Sequence, residues 1–261
     1  MHTHHEEAVR RLVERFSADE TVDAVLLVGS IAHGFETEAS DVDVMLLVSE
    51  ARYAELAERR TLTVYSPELC TYPGGYVDGK YIDSAFLHQV AQRGSEPARF
   101  AFQGARVLFS RNAAMEDLLR DVVRYPLEGA AERMRRFYAQ LEAWTWYLGE
   151  SAKRGDAYLR GLSIAKVVLF GGRLILAHNR VLYPYHKWFL RVLAGVEKKP
   201  AGLMTLIEHL YQTGDLESAR RFYELIKDFA DWGMVRSEWP TQFMKDSELN
   251  WQHDHTPVDD L

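Results

Sequence analysis

The first hundred residues alternate between short apolar runs and polar breaks, which predicts a domain that contains both helices and strands. Apolar residues at helical spacing occupy residues 8–16, and the β-branched segment 22–28 predicts a buried strand. Residues 41–48 begin with alternating carboxylates and valines and continue as an apolar run, which predicts a second strand. A helix at 50–60 and a short strand at 61–65 are expected next.

Two glycine-rich signals follow, Pro73-Gly74-Gly75 and Asp78-Gly79, and both are typical of turns. We therefore expect the next strand to begin after them, at residues 80–86.

The second half of the chain has a different pattern, because Leu, Ala, Arg, Glu and Trp recur at helical periods and no strand pattern is evident. Five helices are predicted, at residues 128–153, 156–179, 184–195, 200–213 and 215–232. The short connections between them are typical of a bundle. The expected fold class is α+β, with a mixed β-sheet flanked by helices in a catalytic domain at 1–120 and a helical bundle at 121–261.

Composition narrows the range of functions. The chain has 261 residues, a formal net charge of -7 and no apolar run of membrane-spanning length. An acidic protein lacks the concentrated basic face that duplex nucleic acid requires, so we expect neither nucleic acid nor a membrane as a partner. Because Cys70 is the single cysteine, an internal disulfide is excluded, which fits a cytoplasmic protein.

The most informative residues are Asp41 and Asp43, at the start of the second predicted strand. Side chains two apart in a strand share a face, so the two carboxylates would lie side by side. Like charges at this spacing repel unless a cation lies between them, and carboxylate oxygens are the ligands that Mg²⁺ prefers. The pair therefore predicts a magnesium site.

A third carboxylate is expected from a neighbouring strand. Asp83 is the better candidate, since it lies within the predicted strand at 80–86, whereas Asp78 falls in the predicted turn. Gly29 and Ser30 follow the first strand, where a glycine lets the backbone approach a phosphate and the serine hydroxyl can bind it. Together these residues predict a site for a metal-bound triphosphate.

The Gly-Ser pair, the ten residues after it and the Asp-Val-Asp sequence resemble the signature of the DNA polymerase β-type nucleotidyltransferase superfamily. A small catalytic domain followed by helices is similar to the enzymes that adenylylate aminoglycoside or lincosamide antibiotics. His33 departs from the pattern, because many members have arginine there. The resemblance implies that Asp41, Asp43 and Asp83 bind two Mg²⁺ ions, that Asp83 assists the attacking hydroxyl, and that ATP or another nucleoside triphosphate is the co-substrate.

Basic residues of the helical domain are expected to reach the triphosphate, as they do in the antibiotic-modifying relatives. Arg173 and Lys187, which flank the segment Tyr183-Pro184-Tyr185, are the candidates, with surface charge as the alternative. The sequence also leaves undecided whether the chain forms a homodimer that completes the cleft, since dimers are common in this superfamily.

Three functional classes remain open at this point. The first is transfer of a nucleoside monophosphate to a hydroxyl group of a small molecule, with an aminoglycoside-like antibiotic as one candidate acceptor. The second is modification of a protein or RNA partner by an antitoxin-type adenylyltransferase, and the third is a nucleotide-binding regulator without catalysis. His2, His4 and His5 are expected to lie at a loose end of the chain and to have no role beyond adventitious metal binding.

Overall fold

The structure is a computed structural model, and it describes residues 1–253. The chain divides into two compact units, Met1–Tyr125 and Pro126–Leu261. Each unit has its own hydrophobic core. The α+β class, with a mixed sheet first and helices afterwards, is confirmed.

The first unit combines five strands and six α-helices within the described residues. In chain order these are α1 (Thr3–Ser17), β1 (Val22–Leu27), α2 (Gly29–His33), β2 (Val42–Val48), α3 (Glu50–Glu58), β3 (Thr63–Ser66), β4 (Val77–Ile82), α4 (Ser84–Arg93), α5 (Glu96–Phe100), β5 (Arg106–Ser110) and α6 (Met115–Val122). The strands form one sheet in the order β3-β4-β2-β1-β5. Strands β2 and β4 are parallel, and the other neighbours are antiparallel.

The sheet is covered on both faces, as expected for strands that are apolar nearly throughout. Side chains of β2 alternate between the faces, so that Val42 and Val44 pack with α1 and α3 while Met45 and Leu47 pack with α4 and α6. Asp43 lies between the two valines in sequence and therefore faces the α4 and α6 side. Asp43 is thus a polar residue near the end of the sheet, and it is not buried in either core.

The fourth strand begins earlier than the sequence predicts. Asp78 and Gly79 lie inside β4 and do not form a turn. A Cβ at Gly79 would lie 3.1 Å from Val64 and 3.4 Å from Val44 of the neighbouring strands, so close packing within the sheet favours glycine here. The strand ends at Ile82, and Asp83 is the N-cap of α4.

The second unit is helical throughout its described part. Its α-helices are α7 (Ala130–Arg154), α8 (Ala157–His178), α9 (Phe189–Gly195), α10 (Leu203–Thr213), α11 (Leu216–Lys227) and α12 (Trp239–Phe243). The helix expected at 184–195 starts five residues late, because Tyr185 has a φ of 64° and cannot continue a right-handed helix. No helix among residues 1–253 has both the length and the apolar character that crossing a bilayer requires.

Candidate functional site

One end of the sheet collects the polar residues that the sequence singled out. The C-terminal end of β1, the N-terminal ends of β2 and β4 and the C-terminal end of β3 meet there, as the strand register requires. Gly29 follows β1, Asp41 immediately precedes β2, and Asp43 is the second residue of β2. The structure therefore brings Gly29, Ser30, Asp41 and Asp43 together.

Asp43 is paired with Asp78 across β2 and β4. Residues paired in this way point to the same face of a sheet, and adjacent strands are about 4.8 Å apart. Asp41 lies two residues before Asp43 and continues the same face. All three carboxylate residues are half-buried, so the end of the sheet presents a cluster of negative charge that solvent still reaches.

Asp83 does not join this cluster, which corrects the third site residue expected from sequence. In the parallel register, Leu47 pairs with Ile82, so Asp83 lies past the opposite end of the strand from Asp78. Five residues of strand correspond to about 16 Å. The Asp83 carboxylate instead accepts a hydrogen bond from the Phe86 backbone N–H at 2.7 Å and caps α4, a role for which aspartate is among the preferred residues.

Gly29 makes the closest approach to the carboxylates. Its φ is 66°, a left-handed conformation that suits glycine, and a Cβ atom built there would overlap the Asp43 carboxylate. The Val28 backbone N–H donates to the Asp43 carbonyl at 3.0 Å, which fixes the turn against the strand. The backbone at Gly29 is therefore in direct contact with the Asp43 side chain.

Ser30 is buried, and its Oγ has no hydrogen-bond partner within the described residues. Buried hydroxyls are nearly always hydrogen-bonded, so this Oγ can donate a hydrogen bond to a further group. His33, the last residue of α2, stacks on Phe100 with ring centroids 4.5 Å apart. Burial lowers the pKa of His33 below its usual value.

The donor set has the chemistry of a magnesium-nucleotide site. Three carboxylates supply hard oxygen ligands, the turn at Gly29 contacts one of them without a side chain of its own, and the Ser30 hydroxyl has no hydrogen-bond partner among residues 1–253. In residues 1–253, however, no three side chains of the His, Cys, Asp and Glu types already converge as metal ligands. Rotation of the aspartate side chains would be needed to bring their oxygens to one point.

The residues around Asp41 were not identified from the sequence. The Tyr76 hydroxyl hydrogen-bonds to the Asp41 carboxylate, and this bond and the nearby negative charge raise the pKa of Tyr76. On the backbone side, the Tyr72 hydroxyl donates to the Ser40 carbonyl at 2.6 Å. These tyrosines flank the Pro73-Gly74-Gly75 turn, which was predicted only as a connection.

The N-terminal histidines are ordered parts of this region, contrary to expectation. His5 is fully buried on α1, and its Nε2 lies 3.1 Å from the Ser40 carbonyl. The His4 Nε2 lies 2.9 Å from the Glu38 carbonyl, and its ring packs on Tyr72 at 4.3 Å. No sequence signal distinguished these contacts, because they depend on how α1 crosses the loop before Asp41.

Arg173 and Lys187 belong to the second unit. The guanidinium of Arg173 lies between the rings of Phe137 and Tyr183, 4.2 Å from each centroid. Lys187 is exposed, and its ammonium lies 5.1 Å from the Trp188 ring. Arg173 is therefore held by aromatic faces, whereas the Lys187 side chain remains accessible to a ligand.

Comparison with known proteins gives one family match and one structural likeness. Residues 9–78 match the family described as "Nucleotidyltransferase domain", a span that contains Gly29, Ser30, Asp41, Asp43 and Asp78 and ends before Asp83. No curated protein matches the sequence. Among solved structures, the chain is similar to a nucleotidyltransferase-like protein from Exiguobacterium sibiricum 255-15, with 12% identity, a TM-score of 0.49, and coverage of 98% of this chain and 83% of that one.

Proposed function

We propose that this chain, which carries a nucleotidyltransferase domain in its N-terminal unit, transfers AMP from ATP to a hydroxyl group of a small molecule and releases pyrophosphate. The observation that carries the proposal is the pairing of Asp43 with Asp78 beside the contact between Gly29 and the Asp43 carboxylate. Carboxylates that can bind a metal beside a turn with no side chain of its own are what transfer at a phosphorus atom requires.

Asp41, Asp43 and Asp78 are the proposed ligands of Mg²⁺. Bound there, the metal would neutralise charge on the triphosphate and favour the ionised form of the attacking hydroxyl. Asp78 replaces Asp83 in this account, since Asp78 lies on the strand next to Asp43. Asp78 is also the proposed base for the acceptor hydroxyl, because β4 lies one strand farther from β1 and Gly29 than β2 does.

Gly29 and Ser30 are the proposed phosphate contacts. The glycine keeps the turn free of a side chain, and Ser30 donates its hydroxyl hydrogen to a phosphate oxygen, which would satisfy the unpaired Oγ. The Asp43 side chain lies against the turn, so the proposed phosphate contacts and metal ligands are adjacent.

Lys187 and Arg173 remain proposed contacts to the nucleotide from the helical unit. The exposed ammonium of Lys187 suits a phosphate directly, whereas Arg173 between its two rings would act as a fixed charge. Replacing Lys187 by Met should raise the KM for ATP without lowering kcat. Lys227, an exposed lysine in the last turn of α11, provides the matched control Lys227→Met. Equal KM values for ATP in the two variants would exclude Lys187 as a nucleotide contact.

The test is pyrophosphate release by the full chain. ATP, GTP, CTP and UTP are supplied in turn with Mg²⁺ and a panel of aminoglycosides, lincosamides and simpler polyols. We expect release that needs both Mg²⁺ and one class of acceptor and that disappears in Asp43→Asn. Mg²⁺-dependent nucleotide binding without release for any acceptor would contradict transfer to a small molecule.

A further inference from the structure

The carbonyl of Ser40 receives two side-chain donors from separate parts of the chain. The Tyr72 hydroxyl donates to it at 2.6 Å, and the Nε2 of His5 lies 3.1 Å away. Because a carbonyl oxygen can only accept, Nε2 carries the imidazole proton. Both donors converge on one backbone atom, immediately before the candidate metal ligand Asp41.

The geometry of the peptide bond carries this constraint to Asp41. The Ser40 carbonyl and the Cα of Asp41 belong to one planar peptide unit, so two hydrogen bonds to the oxygen fix the plane in which Asp41 begins. On the other side, the Val42 backbone N–H donates to the Tyr76 carbonyl at 3.0 Å. The backbone of Asp41 is therefore held both before and after the residue.

Burying a histidine at position 5, in α1, costs free energy, which indicates that its contact with Ser40 is specific. The ring is fully buried, and its Nδ1 has no hydrogen-bond partner within the described residues. An apolar residue would fill such a position on α1 without leaving a polar atom unpaired. The imidazole instead bonds to the Ser40 carbonyl through Nε2, while its ring contacts those of His4 and Tyr72.

The turn after Tyr72 and the ring of His4 fix the position of the Tyr72 side chain. Pro73 and Gly74 form a turn in which Gly74 has a φ of 72°, and a Cβ at Gly75 would strike the Tyr72 ring. The ring also packs on His4 at 4.3 Å. The glycine that follows the turn thus leaves space for the aromatic ring whose hydroxyl reaches Ser40.

We propose that Tyr72 and His5 are positioning residues that set the backbone of Asp41 for metal binding through the Ser40 carbonyl. The inference rests on the proposed function, since it assigns Asp41 as a metal ligand. It makes the first turn of α1 part of the site. Residues that orient metal ligands typically change metal affinity by about 10- to 100-fold when they are replaced.

The test measures Mn²⁺ affinity by electron paramagnetic resonance, using the full chain saturated with a non-hydrolysable ATP analogue. Tyr72→Phe keeps the ring on His4 but removes the hydroxyl, and His5→Leu removes the imidazole donor. His5→Gln keeps an N–H near the position of Nε2. We expect Tyr72→Phe and His5→Leu to weaken Mn²⁺ binding by about tenfold, and His5→Gln to bind more tightly than His5→Leu.

Tyr81→Phe is the matched control, because Tyr81, like Tyr72, is a half-buried tyrosine, and it lies in β4. Affinity for the nucleotide without metal is measured for each variant, since a general loss of structure would weaken it equally. Mn²⁺ affinities of Tyr72→Phe and His5→Leu equal to that of Tyr81→Phe would overturn the inference and leave the proposed function intact. Absence of any metal-dependent nucleotide binding by the wild-type chain would refute both.

Discussion

Asp43 and Asp78 occupy partner positions on the parallel strands β2 and β4. Carboxylates at this spacing destabilise one another unless a cation or a proton lies between them. Both carboxylates lie at one accessible end of the sheet, beside the Gly29 turn. This arrangement of charge favours the binding of a cation at the expense of the stability of the fold. The strand pairing places Asp78, and not Asp83, beside Asp43.

Replacing Gly29 by Ala should abolish most turnover. The Cβ would overlap the Asp43 carboxylate, and displacing a reacting group by about 1 Å can reduce a rate by about 10²-fold. Gly34→Ala is the control, since Gly34 has a φ of 68° but open space around its Cβ. Both substitutions carry about 1 kcal/mol of left-handed strain. Equal activities in the two variants would show that the Asp43 contact is irrelevant to turnover.

Ser30→Ala should weaken nucleotide binding without lowering the melting temperature. Among residues 1–253 the hydroxyl has no hydrogen bond to lose, whereas one hydrogen bond to a charged phosphate is worth about 1.5 to 3 kcal/mol, or at least tenfold in Kd. Ser163 is also a buried serine whose Oγ lacks a hydrogen bond within the described residues, so Ser163→Ala is the matched control. Calorimetric titration with ATP and Mg²⁺ should separate the two variants. An unchanged Kd in Ser30→Ala would exclude the phosphate contact.

His33 should make the protein less stable as the pH falls from about 7 to 5. Burial lowers the pKa of His33 in the folded state below the value of about 6.5 for an unfolded chain. The unfolded state therefore binds the proton first, and the stabilising contribution is lost as the pH falls toward the folded-state pKa. In His33→Phe, which keeps a ring against Phe100, the free energy of unfolding should vary less over this range.

Urea unfolding at a series of pH values measures this effect, with His88→Phe as the control because His88 is an exposed residue of α4. A pH dependence in His33→Phe as steep as that of the control would contradict the assignment.

Arg99→Met should destabilise the first unit by about 3 kcal/mol or more. The guanidinium is 4% exposed and donates to the carbonyls of Ala91, Gly94, Val122 and Arg124, which joins α4 and α6 to α5. Each carbonyl left unpaired costs about 1 to 3 kcal/mol. The exposed Arg93 supplies the control, Arg93→Met. If both variants unfold at the same urea concentration, the buried network does not stabilise the fold.

The sequence identified the elements of the fold where periodicity was strong, and it placed Gly29, Ser30, Asp41 and Asp43 correctly as neighbours. These residues are close in the chain and are joined by one strand-loop-strand unit, so local pattern is sufficient. The error at Asp83 has a physical cause. Asp78-Gly79 has the composition of a turn, but the close approach of Val64 and Val44 favours a glycine within the strand.

Contacts between distant segments could not be predicted from one sequence. His5 is 35 residues from Ser40, and Tyr72 is 32 residues away, so neither has a periodic or spacing signal that relates it to Asp41. Asp78 did have such a signal, because Val77-Asp78 repeats the apolar-acidic pair Val42-Asp43 with which it is in register. Recognising that repeat requires knowing that the two strands are parallel neighbours.

The most direct test of the account compares Asp78→Asn with Asp83→Asn for Mg²⁺-dependent pyrophosphate release. Asparagine is as good an N-cap as aspartate, so Asp83→Asn should keep α4 intact and retain activity within about twofold. Asp78→Asn should lose on the order of 10³-fold, because a metal ligand contributes several kcal/mol to the transition state. Loss of activity in Asp83→Asn with retention in Asp78→Asn would contradict the site described for this sheet.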